Sequence, residues 1–294
     1  MATDARPRGP QPQVPEIDRS LIIAVLMVLF VMATAPGQGN AYVLEGPHIL
    51  HLTAKALGRI ASLEVDQELL IYPLTPDTSP TVFDERVIYL FPERFRSDIL
   101  NDDIQKTHLV FANSSLTVVD GRPVEANDPF DHYQLLLRSR SRPRLMRVLN
   151  RLGVETAISS LGRVEETLVF IVGARYPDES VSQLAVDKET FLPVRLLLVD
   201  PITDQHVEIV YRNWQTLQSS VFPFQVLFFT NGQLVREIRV ADVRINPSIP
   251  AETMDLEALK ASLVAIDAPT SQVQKQEAMD AVKQAVENFQ KKFE

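Results

Sequence analysis

The chain has 294 residues, 45% of them hydrophobic, with a formal net charge of −9 and a pI near 5.2. That apolar share supports a sizeable core, and the acidic balance excludes a nucleic-acid binder, which would carry a basic excess. The absence of cysteine excludes disulfides, thiolate nucleophiles and cysteine-rich zinc sites, and excludes a covalent lipid anchor, which needs a cysteine just after the signal.

Residues 1–20 are rich in Pro, Gln and charge and read as a disordered leader. Leu21 to Ala35 then runs for fifteen residues without a charge. This is long for the apolar part of an export signal and short for a bilayer span of about 20 residues. Gly39-Asn40-Ala41 offers a small-x-small cleavage site before Tyr42. Residues 21–41 therefore read as a signal peptide or as a retained signal anchor, since Arg6, Arg8 and Arg19 are balanced by Asp4, Glu16 and Asp18. Either way the remainder is expected in the periplasm, outside the inner membrane.

From Pro47 to about Ala61, Ile49, Leu50, Thr53, Leu57 and Ile60 recur at helical spacing, with Pro47 suited to a first turn. The period then changes to two. Strands are expected over 63–72, 82–91, 94–100, 107–112 and 115–119, with Asp120-Gly121 as a hairpin turn. Residues 129–153 return to helical spacing through Phe130, Tyr133, Leu136, Leu137, Leu145, Val148, Leu149 and Leu152, ending at Gly153. Six arginines (138, 140, 142, 144, 147 and 151) make this segment basic. They fit a solvated helix surface, or contact with anionic headgroups or an acidic partner.

Strands resume over 167–173, 181–187, 193–199, 206–214, 224–230 and 234–245. Asn231-Gly232 predicts a two-residue type I′ hairpin, and a phase slip near Ala241–Asp242 predicts a bulge. After a proline-marked link, Val282, Val286, Phe289 and Phe293 predict a helical tail from Thr270.

Little in the chain points to catalysis. His48 and His51 stand i,i+3 without a third ligand nearby in sequence, and Ser159-Ser160 and Ser219-Ser220 read as loop serines. No nucleophile elbow, phosphate loop, dinucleotide fingerprint or zincin motif occurs. We expect no enzyme and no cofactor. What stands out is apolar excess: residues 168–172, 194–199 and 226–229 are apolar at both parities, whereas a strand with one wet face alternates. Both faces are then covered, or one face is an open apolar concavity.

The order of elements, with Phe91-Pro92-Glu93-Arg94-Phe95-Arg96, Asp120-Gly121, Leu192-Pro193-Val194-Arg195-Leu196, Tyr211-Arg212-Asn213-Trp214 and Ile245-Asn246-Pro247-Ser248-Ile249-Pro250, resembles the LolA-like family of lipoprotein carriers over about residues 47 to 259. The resemblance implies a mainly β (α+β) fold. It would be an incomplete antiparallel β-barrel of about eleven strands, in a domain over 42–259, with helices as a lid over an apolar cavity; the helical tail over 260–294 is not supplied by the family pattern. It implies lipid or lipoprotein acyl chains as ligand, with an inner-membrane donor and an outer-membrane acceptor as partners. Where the family places an arginine involved in lid closure, this chain has Phe91, with Arg94 and Arg96 close by. Candidate cavity residues are Phe91, Phe95, Phe111, Phe170, Phe224 and Phe228, each of which equally fits ordinary core packing.

Overall fold

A computed structural model describes residues 43–73, 79–101, 104–112, 114–124 and 129–266. The apolar segment 21–35 and the tail beyond 266 lie outside the described residues. Thirteen strands form one sheet: β1 (Ser62–Ile71), β2 (Thr81–Leu90), β3 (Arg94–Leu100), β4 (Gln105–Phe111), β5 (Ser114–Val119), β6 (Arg122–Val124), β7 (Ser159–Val164), β8 (Thr167–Val172), β9 (Gln183–Asp187), β10 (Pro193–Val199), β11 (His206–Leu217), β12 (Ser220–Thr230) and β13 (Gln233–Ile245). The spatial order is β6-β5-β4-β3-β2-β1-β13-β12-β11-β10-β9-β8-β7, so two meanders meet at the β1–β13 pair, and among the described residues β6 and β7 are the edges. Every neighbouring pair is antiparallel, and the barrel is unclosed. Among the described residues no helix is long and apolar enough to cross a membrane.

The strand count corrects the expected eleven, and the two strands that sequence reading missed are the two edges. Strand β6 is three residues long with Pro123 at its centre, which cannot donate to a ladder. Strand β7 contains Ser159 and Ser160, read from sequence as loop serines. Among the described residues each edge has one partner only, so little local β-pattern is needed to hold it. Ser220 likewise opens β12 rather than lying in a loop.

Turn chemistry behaves as the dipeptides dictate. Asp120 and Gly121 both have positive φ (50° and 75°), as do Asn231 and Gly232 (49° and 79°), the signature of type I′ hairpins. In β13, Asp242 pairs with Asp66 and Val240 with Gln67, which leaves Ala241 as the bulged residue. The bulge lets Ile238 and Val240 before it, and Val243 and Ile245 after it, all face the same core.

Three helices lie against the inner face of this sheet: α1 (Gly46–Ala56), α2 (Tyr133–Arg138) and α3 (Arg142–Arg151). The last two connect the edge strands β6 and β7. Helix α1 stops short of the expected Ala61. Gly58 takes φ +75° and makes an isolated bridge to Ser220, so closely that a Cβ there would run into the Ser219 carbonyl. The 3₁₀ turn Ala251–Met254 and helix α4 (Leu256–Ile266) dock on the outer face, where Met254 and Leu256 pack on Ile88 and Leu109. Helix α4 runs across the boundary expected at residue 260.

One outer-face cluster carries a pH signature. Glu237 accepts hydrogen bonds from Tyr72 Oη (2.7 Å), Gln225 Nε2 (2.8 Å) and Arg239 Nε and Nη2 (2.8 and 2.9 Å). Burial alone would raise its pKa, but these donors outweigh it and hold the carboxyl down to about 2. A depressed folded pKa stabilises the fold above the unfolded value, and that stability is lost as pH falls towards about 2. Glu237→Gln is expected to cost about 1 kcal/mol at pH 7 and to flatten the acid limb of stability. Urea midpoints measured from pH 7 to pH 2.5 check this; an unchanged acid limb counts against it.

Candidate functional site

The inner face is built by alternation. Phe83, Val87 and Tyr89 of β2 point inward with Phe95 and Ile99 of β3, Phe170 and Val172 of β8, Ile209 and Tyr211 of β11, and Phe222, Val226 and Phe228 of β12. Onto this face α1 brings Ile49 and Leu50, α2 brings Leu136 and Leu137, and α3 brings Leu145 and Leu149. One continuous apolar cluster of buried side chains results.

The sequence-based cavity residues divide by placement. Phe95, Phe170 and Phe228 converge in this cluster at 2%, 4% and 0% exposure. Phe91 is half-buried at the cluster's margin, stacked on Tyr89 with ring centroids 5.7 Å apart. Phe224 is half-buried and lies outside the cluster. Phe111 is 37% exposed on the opposite face, with the Arg94 guanidinium 4.6 Å above its ring. Residues 109–111 are apolar at both parities, so alternation cannot choose between them. Pairing of Val110 with Phe95 turns Val110 inward and sends Leu109 and Phe111 outward. The rings that sequence reading passed over are Tyr89, Tyr133 and Phe222. Tyr89 meets Phe95 and Phe222, and Tyr133 meets Phe95 and Phe228, all edge-on at 5.1–6.5 Å. Alternation with Val87 was the available signal for Tyr89.

Where the runs are apolar at both parities, the outer face is also covered. Val169 and Ile171 of β8 pack with Ala174 and Ala185 in a separate outer cluster. A Cβ added at Gly162 would meet both Ile171 and Pro177, which places the loop after β8 on that face.

A polar row crosses the inner face beside the aromatic patch. Gln67 Nε2 donates to Glu85 Oε2 (2.7 Å), and Ser97 Oγ donates to the other oxygen of Glu85. His108 Nδ1 lies 2.7 Å from Thr117 Oγ1, and its Nε2 lies 4.0 Å from Asp131. These buried groups are satisfied by one another across strands, as their burial requires. Among the described residues no group of three or more histidine and carboxylate side chains could hold a metal ion.

Two arginines fasten the helical cover. Arg138 is 2% exposed, and its Nη1 donates to the Glu93 carbonyl (3.0 Å) at the start of β3. Arg140, between α2 and α3, donates through Nη1 to the Leu57 carbonyl and to Ser220 Oγ (2.6 Å). Its guanidinium sits 4.3 Å above the Phe91 ring. Burial lowers both pKa values to about 10, and the nearby Arg144 charge adds to the effect at Arg138. Both remain charged at neutral pH, held by carbonyl oxygens and aromatic faces rather than by buried carboxylates.

Fold and face together define an open antiparallel β-barrel with a helical cover on its concave side. No family model matches the chain, and no curated protein matches it. Solved structures similar to it include three that each have a TM-score of 0.49 and align over 73% of this chain. One is a domain described as an outer membrane lipoprotein-sorting protein from Vibrio parahaemolyticus, 10% identical and covered over 98% of its length. Another is a LolA superfamily protein from Nitrosomonas europaea, 11% identical and 99% covered. The third is a DUF1329 family protein from Desulfovibrio piger, 9% identical and 97% covered.

Proposed function

We propose that this protein is an exported, non-catalytic carrier. It holds the acyl chain of a lipid or lipoprotein between the inner face of the sheet and helices α1–α3, and moves it from an inner-membrane donor towards an outer-membrane acceptor. The observation that carries this reading is the cover itself: helices of 11, 6 and 10 residues lie over an aromatic and aliphatic sheet face, between the two edges of the described sheet. Energies support reversible loading. Burying about fifteen CH₂ groups is worth roughly 12 kcal/mol, at about 0.8 kcal/mol each. Lifting Leu136, Leu137, Leu145 and Leu149 off the face costs roughly 6–12 kcal/mol, at about 1.5–3 kcal/mol per side chain. The exchange is close to balanced, so a modest preference of donor or acceptor sets its direction. Phe91, Phe95, Phe170 and Phe228 would line the acyl site; Phe224, outside the inner cluster, and Phe111, on the other face, would not.

A second reading, an interaction module that shuttles nothing, draws support from the burial of the inner-face rings, where Phe228 is 0% exposed. Native mass spectrometry of the exported protein, purified without detergent, separates the two. Extra mass that organic extraction removes and identifies as acyl lipid is the expected result. A clean protein mass with no uptake of added lipid would sink the carrier.

A further inference from the structure

A second concavity lies outside the apolar face. It is a groove of about 500 Å³ between α2–α3 and strands β4–β5. One wall carries Arg138, Arg144, Arg147 and Arg151, and Ser114 and Ser115 line it from β5. Val110, Leu135, Val148 and Leu152 make part of its lining apolar.

Among the described residues its charges do not cancel: Glu93 and Asp131 are the carboxylates on the lining, against four arginines. Glu93 pairs with Arg144 at 3.4 Å and also attracts Arg138 electrostatically, while Asp131 stands beside His108. Among the described residues, Arg147 and Arg151 make no ion pair. In a chain of net charge −9 this local excess of cations needs a reason.

A second observation comes from buried polar atoms. Gln134 is 4% exposed and Arg138 2%, one helical turn apart on α2, and both line the groove. Among the described residues Gln134 Oε1 and Arg138 Nε are buried without a hydrogen-bond partner. Buried groups of this kind are normally satisfied, and leaving one unsatisfied is costly. One is an acceptor and the other a charged donor. A ligand that satisfies both brings an anionic oxygen for the arginine and a hydroxyl for the amide. A phosphate ester of a polyol has both, and guanidinium groups bind phosphate oxygens well.

We propose that this groove binds the polyol-phosphate headgroup of an anionic amphiphile, with Arg138, Arg147 and Arg151 as phosphate donors and Gln134 as acceptor from a headgroup hydroxyl. The apolar part of the lining leads the ligand's chain away from the charges. The amphiphile part rests on the acyl-carrier reading above; the anion part stands on the groove alone.

Titration calorimetry on the full chain tests this, using dihexanoyl phosphatidylglycerol, dihexanoyl phosphatidylcholine and glycerol 1-phosphate. The first is expected to bind at least about tenfold more tightly than the second. The double substitution Arg147→Gln with Arg151→Gln removes two exposed side chains and should leave the thermal midpoint unchanged. It should weaken phosphatidylglycerol about tenfold or more and reduce the salt dependence of binding. Arg163→Gln, an exposed site on the far hairpin, should change nothing. Equal binding of the two lipids, with no effect of the double substitution, overturns the groove and leaves the acyl site standing. Glycerol 1-phosphate binding as tightly as phosphatidylglycerol, with loss in the double variant, keeps the anion site and overturns the amphiphile. No binding of any of the three overturns the groove outright.

Discussion

Phe228→Ala is expected to destabilise the protein by about 3–5 kcal/mol, the range for removing a fully buried aromatic ring. Phe228 is 0% exposed and meets Phe130 and Tyr133 edge-on at 5.4 and 5.7 Å. It therefore joins β12 to the helical insert across the sheet. The hole left behind cannot collapse easily, because β12 is pinned on both sides by β11 and β13. For a domain of this size the thermal midpoint should fall by roughly 10 °C or more. Urea unfolding followed by the single Trp214 measures the change; a loss below about 1 kcal/mol would mean that the inner face is loosely packed around this ring. The substitution has a second use. A cavity of one missing ring, lined by apolar groups, should take up small apolar probes more readily than the parent.

Arg140→Ala is expected to loosen the helical cover with a smaller cost to the whole fold. The side chain ties the α2–α3 link to the end of α1 and to the start of β12, and covers Phe91. Among the described residues its Nε and Nη2 are already buried without partners, so part of the loss is offset by relief of burial. A net cost of about 2 kcal/mol follows from losing charge-assisted hydrogen bonds to Leu57 and Ser220. Amides of α2 and α3 should then exchange roughly thirtyfold faster than in the parent, while those of the central β1–β13 pair keep their protection. Hydrogen exchange read by mass spectrometry checks both halves. Equal acceleration everywhere would show a global loss and no local latch. If the carrier reading holds, the same variant also loads acyl lipid faster. Arg140→Lys should recover little, because a point charge cannot reach two acceptors and lie flat on Phe91 at once.

Much of the architecture was legible in the chain. Eleven of the thirteen strands, the two type I′ turns and the bulge at Ala241 follow from period-two patterning and from Asp-Gly, Asn-Gly and a phase slip. The helical insert followed from leucines at helical spacing and the stop at Gly153. Residues at these positions make their structure through neighbours a few places away, and such signals are written locally.

What only the tertiary structure decided is which strand meets which, and therefore which face is inside. Pairing of Leu63 with Ile245 joins segments far apart in the chain and turns two meanders into one open sheet. Edge strands β6 and β7 carried almost no pattern of their own, because a strand with one neighbour is held by that neighbour's register. Runs such as 109–111 and 168–172 are apolar at both parities, so alternation could not choose a side, and Phe111 went to the face opposite Phe95. The arginines were visible as a basic segment, yet their division had to wait for the fold. Arg140 went into the seam of the cover, Arg147 and Arg151 into a groove, and Arg138 stands between the two, tied to Glu93 and lining the groove. Composition and spacing determine which residues are available to a face. The face itself is chosen by contacts between distant segments, because only there do burial and hydrogen bonding act on all of them at once.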